Sequence, residues 1–346
     1  MNIFFLEYRD PLFSVIIFFV FIFLITFTSY WWGRFRANKD TKHLDKFLKQ
    51  FHSSPSSSEL KVLIKSGDLS EKSWLILADA YSNNGEYEKS IEIYKELLKL
   101  NQNTKEILFL LGTTYFRAGF LQRAKVVFLE ILKNNPRTAE ALQYLLLVYE
   151  QMQDYESACE VLSPLDELEQ NTLTQTSYLK VMIILNNLKQ SSQEKVEELL
   201  KIYKLTNTNT HLIFEYLFKV NPKVAWKNLD TKKSNLLLDI LWLVDTKDLD
   251  LDIITKNSYL MELYTARGDL NLAKKSEVFE FDVLINLHSK SDATLSFEYV
   301  CDTCKQISPF TFNRCLKCHS VDSSIIEISL VKDYYRNFGE ENNSFQ

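Results

Sequence analysis

Four of the chain's five cysteines fall in one stretch, YVCDTCKQISPFTFNRCLKCHS at residues 299–320. They form two C-x-x-C pairs, Cys301/Cys304 and Cys315/Cys318, with ten residues between them. Each pair sets two thiolates on one turn, and two facing turns close a sulfur tetrahedron around a divalent metal. Zinc suits that set, and iron accepts the same four thiolates, so the site is better defined than its ion. Two local disulfides are the other use of such thiols. Four cysteines leave no open coordination position, which makes the site structural rather than catalytic. Four thiolates and one divalent ion carry a net charge of about −2, beside which stand Lys305, Arg314 and Lys317. His319 reads as a bystander. A segment of about 35 residues buries too little apolar surface to fold alone, so metal binding would supply its stability.

Other catalytic chemistry finds no support. The seven glycines never take the spacing of a phosphate-binding loop, and no G-x-S-x-G elbow occurs. His43, His52, His211, His288 and His319 are scattered, without an H-E-x-x-H. No βαβ pattern surrounds the C-x-x-C pairs, which argues against thioredoxin-like exchange. The chain reads as a non-enzyme.

Elements must hold this cysteine knot, and the first is at the opposite end. Residues 12–32, LFSVIIFFVFIFLITFTSYWW, carry no charge. At about 1.5 Å per residue they span roughly the 30 Å hydrocarbon core of a bilayer. Tyr30, Trp31 and Trp32 stand at one edge, where amphipathic rings favour headgroups. A cleaved signal peptide would show a charged start, a shorter apolar run and a small-residue cleavage site. Glu7, Arg9 and Asp10 precede the run and no A-x-A follows it. An uncleaved membrane helix over 11–32 is the expectation. Arg34, Arg36, Lys39, Lys42, Lys46 and Lys49 follow it, against Asp40 and Asp45. Positive charge stays inside, so the body should be cytoplasmic and residues 1–10 external. Ligand cysteines also suit a reducing compartment. The basic segment serves either as this topology signal or as a contact with anionic headgroups.

The formal charge is −5 overall, and the segment 33–51 contributes +4. The remaining body is therefore acidic, which argues against nucleic acid as a partner. HSSPSSSE, residues 52–59, is a flexible linker by composition.

Beyond it the sequence repeats. WLILADAYSNNGEYEKSIEIYKELLKLN starts at Trp74, LFLLGTTYFRAGFLQRAKVVFLEILKNNP at Leu108 and LQYLLLVYEQMQDYESACEVLSPL at Leu142, 34 residues apart each time. Leu77, Leu111 and Leu145 share a register, as do Tyr81, Tyr115 and Tyr149, and Ser90, Ala124 and Ala158. Gly85 and Gly119 mark turns, and Pro136 closes the second unit. This resembles the tetratricopeptide repeat (TPR), a helical hairpin whose apolar positions stack neighbour on neighbour into a solenoid. A further hairpin is expected at YLMELYTARGDLNLAKKSEVF, where Leu260, Tyr264, Gly268, Leu270 and Ala273 keep the register. Residues 173–253 read as two degenerate units. Cys159, beside Ala158, reads as a packed core thiol.

The TPR resemblance implies a groove lined by first-helix residues. Carried onto this chain they are Asp79, Ser82 and Asn83; Phe109, Thr113, Phe116 and Arg117; and Gln143, Glu150 and Gln151. The polar members equally suit a merely solvated face. Phe109 and Phe116, read as two exposed aromatics, suggest a protein contact.

One membrane helix, a TPR solenoid and a C-terminal rubredoxin-like ribbon with SPFTFNRC before its second pair together resemble the lipopolysaccharide assembly protein B (LapB/YciM) family. The resemblance implies an all-α TPR solenoid with a small β ribbon holding one zinc, or iron. It further implies a non-catalytic adaptor in the bacterial inner membrane. Such an adaptor presents the deacetylase LpxC to the protease FtsH, limits lipid A synthesis and works with lipopolysaccharide assembly proteins. The alternative is a general TPR scaffold for another envelope or secretion complex. Lys305 replaces the glycine usual after the second cysteine, and the acidic ending GEENNSFQ departs from that family. The expected organisation is an external 1–10, a membrane helix 11–32, a basic segment and linker 33–59, repeats over 60–290, a metal ribbon 296–332 and an acidic tail 333–346.

Overall fold

The structure, a computed structural model, describes residues 20–28, 57–66, 69–100, 105–168, 172–287 and 293–332. It is mostly helical, TPR-like in its repeats, with a small C-terminal sheet and a cysteine cluster. Residues 20–28 form a helix (α1) with exposed apolar side chains, Phe21 and Phe23 among them. Among the described residues no helix is long and apolar enough to cross a membrane. The rest of the 11–32 span, the basic segment and the acidic tail lie outside the described residues.

The chain divides into two compact units, Met1–Gln153 and Asp154–Gln346. In the first, α2 (Ser57–Ser66) begins inside the stretch read as linker. It packs on α4 and is pinned by Lys61–Glu92 at 3.0 Å. Two hairpins follow, α3 (Glu71–Asn83) with α4 (Tyr87–Leu100), and α5 (Lys105–Arg117) with α6 (Leu121–Asn134); α7 (Ala139–Gln151) ends the unit. The period sets the core. Leu77, Leu111 and Leu145, Tyr81, Tyr115 and Tyr149, and Ser90 and Ala124 are all buried. Ser90 and Ala124 are fully enclosed, as close helix approach requires. Gly85 and Gly119 hold φ of +82° and +76°, a left-handed turn that only glycine adopts without strain. Gly112 of α5 meets α6, its partner in the same hairpin, so closely that a Cβ there would lie 2.8 Å from the Phe128 ring.

The second unit opens with α8 (Tyr155–Glu167), where Ala158 is buried and Cys159 half-buried, and continues with α9 (Leu173–Asn186) and α10 (Ser192–Thr206). A reciprocal capping box of Ser191 and Glu194 starts α10. Next come α11 (Thr210–Val220) and α12 (Pro222–Asn228), the latter with Pro222 in its first turn. A 3₁₀ turn leads to the short helices α13 (Leu238–Leu243) and α14 (Leu251–Ile254). Phe214, Leu217, Trp226, Leu241 and Tyr264 form the core. The Arg267 guanidinium donates to the Trp242 and Val244 carbonyls at 2.6 and 2.7 Å, satisfying the end of α13.

The hairpin expected after Tyr259 forms only in part. α15 (Ser258–Arg267) is present and Gly268 turns the chain at φ +90°. Residues 268–278 are irregular, and the next helix, α16, spans Phe279–Leu287. The Thr265 hydroxyl accepts from the Leu272 and Ala273 amides, each at 3.2 Å, holding those N–H groups out of a helix.

The chain ends in an antiparallel sheet of order β2-β1-β3: β1 (Ala293–Cys301), β2 (Ile307–Ser308) and β3 (Ser324–Lys332). β1 and β3 pair along their whole length, from Ala293 with Lys332 to Cys301 with Ser324.

Candidate functional site

The cysteines sit on two turns of the same construction. Cys301 ends β1; its carbonyl accepts from the Lys305 amide at 2.8 Å and its amide donates to the Gln306 carbonyl at 2.9 Å. Cys315 repeats this with His319 and Ser320, both at 2.9 Å. Lys305 and His319, each directly after the second cysteine of its pair, hold φ of +57° and +60°. That is the conformation for which glycine is usual, and these side chains adopt it at some strain.

The four sulfurs all lie within 4.8 Å of one another, with Cys301 to Cys318 and Cys304 to Cys315 both at 3.6 Å. A disulfide needs about 2.05 Å. A tetrahedron with zinc–sulfur bonds of about 2.3 Å has edges near 3.8 Å; the two 3.6 Å contacts lie close to that edge, and every pair lies within 4.8 Å. The four residues thus fit one zinc-sized ion, with Cys301 and Cys315 buried and Cys304 and Cys318 half-buried.

The surroundings favour the thiolate at Cys301 and Cys318 and disfavour it at Cys304. Burial raises the Cys301 thiol, but the hydroxyls of Ser320 and Ser323 and the amides of Cys304 and Thr303 outweigh it, leaving it lowered to about 5. The two hydroxyls lie 3.4 Å from the sulfur. At Cys304 the Gln306 amide favours the thiolate, while burial and the three other thiols push it up to about 11. Four like charges in one cluster need a cation to coexist. The cations expected to offset them are partly engaged elsewhere. Lys305 pairs with Asp302 at 3.0 Å, and Arg314 donates to the His319 carbonyl at 2.7 Å while lying over the Tyr178 ring.

Three contacts dock this ribbon on the helices of its own unit. The Tyr299 hydroxyl donates to Asp239 of α13 at 2.7 Å. Asp322 accepts from the Asn209 amide at the start of α11, also at 2.7 Å. The Arg314 guanidinium lies 5.3 Å from the centre of the Tyr178 ring on α9. Asp239, 6% exposed, also holds His211 Nε2 at 2.9 Å and accepts from the Ile240 amide. Burial raises the Asp239 carboxyl, and the bonds from His211, Tyr299 and Ile240 outweigh it, so it lies below the usual carboxylate range. Ser320, Ser323 and this His211–Asp239–Tyr299 group escaped sequence reading. Serines beside ligands carry no signature, and the three latch residues are 28 and 60 positions apart.

In the groove read onto the repeats, Asp79, Asn83, Arg117, Gln143 and Gln151 are exposed and Glu150 half-buried. Arg117 donates to Asn83 at 2.9 Å, and Asn83 to Asp79 at 3.1 Å, a polar chain joining two repeats. Ser82 and Thr113 are buried, and the Thr113 hydroxyl is spent on the Leu110 carbonyl. The expectation of two exposed aromatics is corrected. Phe116 is 8% exposed and Phe109 half-buried, because both rings pack edge-on against Tyr144 at 5.7 and 5.4 Å. Aromatic packing between hairpins claims them.

Residues 78–119 match the family described as TPR repeat, and residues 109–163 that described as Tetratricopeptide repeat. This part of the chain therefore consists of TPR repeats, which indicate protein–protein interaction and are typically found in non-enzymatic scaffolds. No curated protein matches the chain. Among solved structures, MamA 41-end from Desulfovibrio magneticus RS-1 is similar at 20% identity, over 49% of this chain and 95% of that one, with a TM-score of 0.38. A tetratricopeptide repeat protein from Parabacteroides merdae ATCC 43184 is similar at 14% identity, over 72% and 96%, with a TM-score of 0.38. TTC0263, a thermophilic TPR protein in Thermus thermophilus, is similar at 18% identity, over 56% and 99%, with a TM-score of 0.29.

Proposed function

We propose that this protein is a membrane-anchored adaptor of the LapB type. Its body lies in the cytoplasm, at the inner membrane of a bacterium, and the apolar segment 11–32 anchors it. The repeats and a one-zinc ribbon together dock two membrane-associated partners, the protease FtsH and its substrate LpxC, and so restrain lipid A synthesis. Tethering raises the local concentration of both partners, which lets weak contacts suffice. The observation that carries this reading is the attachment of the four-cysteine ribbon to the helices through Tyr299, Asp322 and Arg314. A ribbon held in a defined place extends the binding surface of the helices instead of hanging as a separate bead.

A crosslinked pull-down from native membranes tests it, comparing the wild type with Cys301→Ser/Cys304→Ser. Recovery of FtsH and a lipid A enzyme with the wild type alone supports the adaptor. Their absence from both samples refutes it and leaves the second reading, a general scaffold for another envelope complex, which the repeats of residues 78–163 favour by themselves.

A further inference from the structure

Beside the Asp239 latch a cleft of about 630 Å³ opens between α11, α13 and strand β1. Its volume falls within the range of ligand sites, roughly 300–1,000 Å³. Four carboxylates line it, from Glu215, Asp239, Asp245 and Asp248, against the single ammonium of Lys219. Asp239 is occupied by His211 and Tyr299, and Asp245 pairs with Lys247 at 2.9 Å. Glu215 and Asp248 make no ion pair within 4.0 Å among the described residues, and the Lys247 ammonium that pairs with Asp245 acts on Asp248 only from farther away. The wall between the acids is apolar. Leu243 stands 77% exposed and Phe297 half-buried.

We propose that this cleft binds a linear peptide segment of a partner protein, with a Lys or Arg side chain between Glu215 and Asp248 and apolar neighbours laid on Leu243 and Phe297. The sign of the charge decides the class. Phosphate-bearing ligands, whether nucleic acid or anionic lipid, are repelled by unpaired carboxylates. A small polyamine would satisfy the acids and leave Leu243 and Phe297 uncovered. A basic residue flanked by apolar ones answers both features. This goes beyond the adaptor reading, since it places recognition outside the residues that match the TPR families.

The test is selection of a phage-displayed library of random linear peptides on the full chain in detergent, followed by fluorescence anisotropy of a selected, labelled peptide. The selected peptides are expected to carry Lys or Arg beside large apolar residues. Glu215→Gln/Asp248→Asn and, separately, Leu243→Ser should each weaken binding at least about tenfold, with the helical circular dichroism unchanged because Glu215 and Leu243 are exposed and Asp248 is half-buried at the rim of the cleft. Added salt should weaken the wild type more than the Glu215→Gln/Asp248→Asn variant. Asn83→Ala/Arg117→Ala, in the repeat groove, should bind as the wild type does. The inference is overturned if no basic peptide is enriched, or if the cleft variants bind like the wild type. It is overturned too if only the groove variant loses binding.

Discussion

Removing one oxygen, in Tyr299→Phe, isolates what the latch contributes to docking. The hydroxyl donates at 2.7 Å to a carboxylate that is 6% exposed. A hydrogen bond to a charged group contributes about 1.5–3 kcal/mol. Asp239 keeps His211 and the Ile240 amide, so its charge is not orphaned and the lower half of that range applies. A loss of about 1.5–2 kcal/mol is about ten- to thirtyfold in the docked population. The assay is hydrogen–deuterium exchange on the zinc-loaded protein. Amides of α13 and of the β1 segment around Tyr299 should exchange faster by about that factor, while zinc content stays at one equivalent. Asp239→Ala should cost more, about 3–5 kcal/mol, because it strands both His211 and Tyr299. Exchange within twofold of the wild type in Tyr299→Phe would mean that the ribbon is held by other contacts, and the reasoning fails.

Further predictions follow from other features. The folded Asp239 carboxyl titrates below its unfolded value of about 3.9. Its stabilisation is therefore complete above that value and disappears as pH falls through the lower folded one. The stability gap between the wild type and Asp239→Asn, from denaturant titrations at stepped pH, should accordingly close below about pH 4 and stay open above it. Gly112→Ala drives a Cβ to 2.8 Å from Phe128, whose side chain is fully buried. Overpacking of about 1–3 kcal/mol exceeds the helix gain of about 1 kcal/mol, so thermal melting should fall by several degrees. Lys305→Gly relieves a left-handed backbone at φ +57°. Less the entropy of glycine, a gain of about 0.5–1 kcal/mol remains, and a chelator competition should show zinc held about two- to fivefold more tightly.

The helical repeats were legible because a 34-residue period in Leu77, Tyr81 and Ser90 survives any single substitution, and these positions are buried. The cysteine cluster was legible from spacing alone, since C-x-x-C carries its turn within itself. Exposure was not legible. Phe109 and Phe116 stand at positions that a solenoid leaves open, yet Tyr144 of the next hairpin covers both, and that contact depends on a residue in another repeat. The irregular stretch after Gly268 looked helical by register; one hydroxyl, on Thr265, redirects it. Local pattern records periodicity, and tertiary partners decide what the pattern faces.

Strand β1 places Leu295, Phe297, Tyr299 and Cys301 on one side, since alternate residues share a face. A slip of a single residue against β3 would turn the thiol from its partners and the phenol from Asp239 in the same movement. A metal held by the four cysteines and the docking contact would thus check the same alignment, each rejecting the frame that the other would reject. A ribbon too small to select its pairing by apolar burial would then be proofread twice, once by the ion its cysteines can hold and once by a carboxylate.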